Sequence, residues 1–199
     1  MSAKTLSAVN QMLAAIGEAP VSTLDSDNPE IATALLTLDQ VNTEVQAEGW
    51  DFNTENNLRF APDNDGFILV SNNVLSLTDN KASNRWRYQV VLRDSKLYDK
   101  RGHTFVWAEP IYCDVIWKFD FEDLPAPFIA YITARASRLF AGRTQGSEEM
   151  VAFNSQDELL LRNSCLEYET QTTEANMLSD DDGRNIYRSY RPVQTMLEY

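Results

Sequence analysis

The spacing of apolar residues changes twice along this chain. Leu6, Val9, Leu13 and Ile16 recur three and four residues apart, which puts them on one face of a helix over about residues 5–16. Gly17 suits the left-handed position after the last turn, and Pro20 prevents the helix from resuming. Asn28-Pro29 starts a second helix. Asn can cap the free N–H groups, Pro costs nothing at the first helical position, and Glu30 adds a favourable charge there. Ile31, Leu35, Leu38, Val41 and Val45 line its inner side down to Gly49. Trp50-Asp51-Phe52-Asn53 is a junction, after which the period falls to two. Short strands are expected over 58–60 and 67–70, separated by the turn-forming Pro62-Asp63-Asn64-Asp65-Gly66. Trp86, Tyr88, Val90 and Leu92 alternate with polar residues. Leu97-Tyr98-Asp99 and 104–107 flank a bend at Lys100-Arg101-Gly102. The strongest strand pattern is 111–121, with Ile111, Cys113, Val115, Trp117 and Phe119 on one face. Helical spacing returns with Phe128, Ile132, Ala136 and Leu139 up to Gly142, and again after Gly146-Ser147 as far as about Asn176.

The predicted fold class is therefore α+β. Residues 1–49 and 125–179 form a four-helix bundle-like domain. A central antiparallel sheet domain of four to six strands is inserted over 50–124. An extended arm follows over 180–199. The insertion is inexpensive if its two ends lie close together, because the flanking helices can then share one core.

Composition sharpens this picture. The formal net charge of -13 argues against wrapping nucleic acid, which needs Lys and Arg to neutralise phosphates. Four Trp, eight Tyr and nine Phe serve either a core or an interface. The two cysteines, Cys113 and Cys165, read as small buried residues without a disulfide framework. No stretch has the unbroken apolar length of a membrane span, so a soluble chain made in the cytoplasm is expected. The acidic residues of the last helix, Glu158, Glu167, Glu169 and Glu174, read as a solvated face, with a channel lining as the alternative. The arm differs from the body. Arg184, Arg188 and Arg191 stand against the single Glu198, interleaved with Ile186, Tyr187, Tyr190, Met196, Leu197 and Tyr199. Such a segment docks on something: its own subunit, a neighbour or a partner.

The chain offers little for catalysis. Its one histidine, His103, stands beside a bend with no nucleophile motif before it. One His and two separated Cys do not make a zinc site, and the seven glycines form no phosphate loop. Asp180-Asp181-Asp182-Gly183 lacks the alternating ligands and distal Glu of a calcium loop. No cofactor and no metal are expected. Glu109, Asp114, Asp120, Glu122 and Asp123 lie on or near the sheet, and two carboxylates across a groove suffice for glycoside hydrolysis. The alternatives to a structural role are thus a glycan or peptidoglycan hydrolase and a non-catalytic carbohydrate-binding module.

Several phrases of the chain point to one family. They are Leu6-Ser7-Ala8-Val9-Asn10, Ile16-Gly17-Glu18-Ala19-Pro20-Val21-Ser22-Thr23-Leu24, Gly49-Trp50-Asp51-Phe52-Asn53 and Leu97-Tyr98-Asp99. Leu124-Pro125 then precedes an Ala-rich helix ending in Phe140, and Cys165-Leu166-Glu167-Tyr168-Glu169 and Asn176-Met177-Leu178 follow. In these the sequence resembles the tail tubular protein A family, the adaptors or gatekeepers of T7-like short-tailed bacteriophages. The resemblance implies a virion tail protein without enzymatic activity, self-associated in a dodecameric ring. Its helices would meet the portal protein and its sheet domain the tail nozzle protein. The C-terminal arm would reach toward the portal, and double-stranded DNA would pass transiently through the centre, with no membrane insertion. On that reading Tyr187, Arg188, Tyr190 and Arg191 are the candidate partner contacts, and Asp180, Asp181 and Asp182 are candidate lumen-facing charges.

Overall fold

A computed structural model describes residues 3–25, 27–85, 87–144 and 148–172. Four α-helices enclose the strands in sequence: α1 (Ala3–Ala14), α2 (Pro29–Gln46), α3 (Ala126–Thr144) and α4 (Glu148–Thr172). Between α2 and α3 lie β1 (Thr54–Phe60), β2 (Val74–Asp79), β3 (Val90–Arg93), β4 (Lys96–Asp99) and β5 (Ile111–Trp117). The fold is α+β, with the strands inserted into the helical part.

The local signals act as their chemistry requires. Past the end of α1, Gly17 takes φ 81°. Its N–H meets the Ala14 carbonyl while the Glu18 N–H joins that of Ile16 on the Leu13 carbonyl, so the last carbonyls of the helix are satisfied. The Asn28 side chain accepts the Glu30 N–H at 2.9 Å, and Pro29 opens α2. Gly49 also has a positive φ, 78°, so the chain leaves α2 in a backbone conformation that strains any other residue, and a Cβ there would in addition press on Ile116 Cδ1 at 2.8 Å.

Two apolar cores result. The first joins α1, α2, α3 and α4 through Val9, Met12, Leu13, Val41, Phe128, Tyr131, Ile132, Phe140 and Cys165, all buried. The second lies under the strands and contains Ile68, Val70, Val90, Leu97, Trp107, Ile111, Cys113 and Val115.

The strands differ from the single sheet expected. They form a three-stranded sheet ordered β1-β5-β2 and a separate two-stranded sheet, β3-β4. All three strand pairings are antiparallel. β2 was not anticipated. Its residues are half-buried along nearly the whole strand, so the in-out alternation that marks a one-sided strand is weak. The expected strands over 67–70 and 104–107 are reduced to single bridges, Leu69 to Lys96 and Asp99 to Thr104. β3 starts only at Val90, because the Gln89 N–H goes to the Asp99 side chain at 3.0 Å instead of a neighbouring strand. Trp86, expected in that strand, lies outside the described residues. β5 stops at Trp117, short of the expected Phe121.

Candidate assembly site at the helix–sheet junction

The chain crosses between the two cores twice, outward at residues 50–53 and back at 117–121, and buried amides tie the crossings together. Asn53 is the centre. Its Oδ1 accepts the Trp50 N–H at 2.9 Å. Its Nδ2 donates to the carbonyls of Gln46 at 2.9 Å and Trp117 at 2.8 Å. Gln46 completes the clasp: its Oε1 accepts the Phe119 N–H at 2.8 Å, and its Nε2 donates to the Phe119 carbonyl at 2.9 Å and to Asn42 Oδ1 at 2.8 Å. Asn42, Gln46 and Asn53 are 3%, 0% and 1% exposed, so these bonds replace water that cannot enter. This is why β5 ends early: the Phe119 backbone pairs with Gln46 and has nothing left for a ladder. The ends of the inserted segment therefore meet, as an inexpensive insertion requires.

Aromatic rings pack around the clasp. Phe128 from α3 lies edge-on to Trp50 at 4.9 Å, against Phe52 at 4.6 Å and against Tyr168 from α4 at 6.1 Å. The Trp50 indole N–H donates to the Val45 carbonyl at 2.8 Å, so the large ring is buried without an orphan donor.

Charged groups fasten α4 to the same place. Arg162 forks onto Glu48 of the α2–β1 connection at 2.7 and 3.2 Å and donates to the Tyr131 hydroxyl at 3.1 Å. The Glu48 hydrogen bonds hold the Arg162 guanidinium in its charged form, above its ordinary range, and Tyr131 adds to this. Arg138 of α3 pairs with Glu158, and the Asp51 N–H donates to Glu169 at 2.6 Å. This corrects the view of these acidic residues as one solvated face. Glu158 and Glu169 are inward ties: among the described side chains of α4 only Cys165 is fully buried, with Leu161 and Tyr168 packed partly against the core, so charged contacts help hold the helix in place, whereas Glu167 is exposed. Glu174 lies outside the described residues.

Residues 6–175 match the tail tubular protein family. The chain belongs to that family. It is a structural protein of a bacteriophage tail. Tail tubular protein A of Klebsiella phage KP34 is 30% identical over 122 residues, a stretch covering 61% of this chain and 63% of that relative's length. The match to the tail tubular family takes in both cores and the clasp between them.

Three of the five carboxylates considered for hydrolysis, Glu109, Asp114 and Glu122, have separate engagements in this tail tubular protein. Glu109 accepts from the Tyr88 hydroxyl at 2.6 Å and pairs with Arg87 at 3.0 Å; both hold it below the usual carboxylate range, Tyr88 more strongly. Asp114 accepts from Asn80 and from the Asn57 N–H. Glu122 accepts from Thr5 on α1. Asp120 lies at the start of the 3-10 turn Phe121–Asp123. Among the described residues no three His, Cys, Asp or Glu gather where a metal could be held, and no helix is long and apolar enough to cross a membrane.

The sequence-predicted contacts Tyr187, Arg188, Tyr190 and Arg191, and the charges Asp180, Asp181 and Asp182, lie outside the described residues. Sequence reasoning missed Asn42, Gln46, Arg162 and Glu48 as junction residues. Only Asn53 carried a signal, as the last residue of Gly49-Trp50-Asp51-Phe52-Asn53.

Both thiols are fully buried, as expected for small core residues. Burial pushes Cys113 up to about 12, with Asp79 and Asp114 adding to it. Burial likewise raises Cys165 to about 11, partly offset by Arg162. Neither thiol should react with an aromatic disulfide reagent at pH 8 until denaturant is added. Rapid native labelling of Cys165, read by mass spectrometry, would show instead that α4 opens locally.

Proposed function

We propose that this chain is a ring-forming adaptor that joins the portal to the tail nozzle and lines the path of ejected DNA. The observation that carries the reading is the clasp in a chain of the tail tubular family. A protein that transmits position between two neighbours needs its two packed parts held in fixed relation. Hydrogen-bonded crossings with converging aromatic rings do this better than a flexible linker. In this reading residues 1–49 and 125–179 face the portal, residues 50–124 face the nozzle, and the ring is a dodecamer. No substrate is turned over. Asp180, Asp181 and Asp182 contribute negative charge near the lumen, where repulsion keeps DNA from adhering, screened over about 10 Å at 0.1 M salt.

The arm supplies portal contacts. Arg188 and Arg191 present forked donors for carboxylates, and Tyr187 and Tyr190 supply area that loses water on docking. The test is sedimentation of the protein mixed with purified portal. Wild type should co-sediment as a ring. Removing residues 184–199 should leave the Tm nearly unchanged and weaken portal association by about tenfold or more. A chain that stays monomeric beside its portal across salt and concentration would sink the adaptor reading. Melting of the truncated protein would show that the arm belongs to the core.

A further inference from the structure

Two surfaces expose large apolar side chains that no other described residue covers, and their charges are opposite. The first is the outer face of the β3-β4 ribbon. Val90, Leu97, Ile68 and Val70 point into the core. The alternate residues therefore face outward. Register places Leu69 beside Lys96, Lys96 beside Arg93, and Tyr98 beside Val91. Leu69 is 65% exposed. The Arg93 guanidinium lies over the Tyr98 ring at 4.2 Å, and the Lys96 ammonium over Phe67 at 4.4 Å. Phe105 packs on Tyr98 at 4.7 Å. The result is an apolar and aromatic sheet face carrying two cations.

The second surface is the outer face of α4. Cys165, Leu161 and Tyr168 turn inward to the helical core. Leu159, Leu160 and Leu166 are left 61%, 64% and 46% exposed. Helical spacing places Leu159 and Leu166 in one row and Leu160 with Glu167 in the next, with Asp157 one turn before Leu160. Asp157 and Glu167 are both exposed. This face is apolar and acidic.

Charge decides between possible occupants. Residues 54–118 hold nine of the 17 Lys and Arg against eight acidic residues, so the rest of the chain carries its negative charge. Two α4 faces brought together would repel, whereas α4 against the ribbon is attractive and covers leucines on both sides. Because the two patches differ, their pairing between copies is heterologous, the kind of contact that builds a ring when its repeated rotation closes. We infer that the β3-β4 ribbon of one copy docks on the outer α4 face of the next. This rests on the ring reading above and specifies its lateral contact.

The experiment is sedimentation of full-length protein, alone and on purified portal, as three chains: wild type, R93E/K96E and D157K/E167K. Circular dichroism and thermal melting check the fold of each variant. Wild type should associate. Each variant alone should need about tenfold or more higher concentration. An equimolar mixture of the two should associate again, because each reversed face meets its complement. Leu69→Ser and Leu159→Ser/Leu160→Ser should weaken association without the rescue. Variants that associate like wild type, or a mixture that stays dissociated, would overturn the pairing. If such variants still form rings on the portal, the adaptor reading survives and only the contact is wrong. If wild type neither associates nor binds portal, both fall. Two other results would also overturn it: loss of duplex DNA binding in R93E/K96E with association intact, and new self-association dependent on Leu159 and Leu160 once residues 184–199 are removed. The latter would mean that the chain's own arm covers α4.

Discussion

Asn53→Ala should lower the unfolding free energy by about 3–5 kcal/mol, read from urea denaturation followed by circular dichroism. The side chain makes three hydrogen bonds, all to backbone groups: the Trp50 N–H and the carbonyls of Gln46 and Trp117. The site is 1% exposed, so water cannot take over these partners once the amide is gone. A typical bond contributes about 1 kcal/mol, and a buried group left unpaired costs about 1–3 kcal/mol. Asn53→Asp is no remedy. It keeps an acceptor for Trp50, loses both donated bonds and puts a charge in a buried site. Asn73→Ala, at an exposed position, is the control and should change stability by less than about 0.5 kcal/mol. A loss below about 1 kcal/mol for Asn53→Ala would show that the crossings hold without the clasp.

Phe128→Ala should cost a similar amount, about 3–5 kcal/mol, by a different mechanism. The ring is fully buried and touches the rings of Trp50, Phe52 and Tyr168. Truncation leaves a cavity where α3, α4 and the first crossing converge, and that convergence limits collapse into it. Phe128→Leu should cost less, because most of the volume stays. Phe119→Ala should be mild, since that side chain is 36% exposed and its anchorage is through the backbone. Near-ultraviolet circular dichroism should report the change through Trp50. Asn53 and Phe128 share Trp50 as a partner, so their double variant should lose less than the sum of the two single losses. Strict additivity would mean that amide clasp and aromatic cluster act independently.

The helices were readable because their signals are local. The Leu6, Val9, Leu13, Ile16 stripe, the Asn28-Pro29 start and the Gly17 stop involve neighbours within a turn or two, and each performs its expected role. β5 was readable from the alternation of Ile111, Cys113 and Val115, all buried together on one face. Trp50-Asp51-Phe52-Asn53 was recognisable as a junction but not as a clasp. The partners of its amides lie 64 residues away at Trp117 and, for Gln46, 73 residues away at Phe119. No periodicity encodes such a contact. The same reason hid the end of β5. The division into two sheets was equally hidden, because strand pairing depends on register across long separations and β2 lacks one-sided burial.

The exposed leucines of α4 mark the boundary most clearly. Composition identifies Leu159, Leu160 and Leu166 as apolar but cannot say which face α3 covers. The sequence by itself determined the helical stripes, the Gly17 stop, the Asn28-Pro29 start, the α+β class and the family phrases, because capping, periodicity and glycine geometry act over a few residues. Tertiary structure decided which carboxylates became ties, where the two crossings met and which apolar faces stayed open. Those outcomes depend on side chains far apart in the chain competing for the same buried space and the same backbone groups.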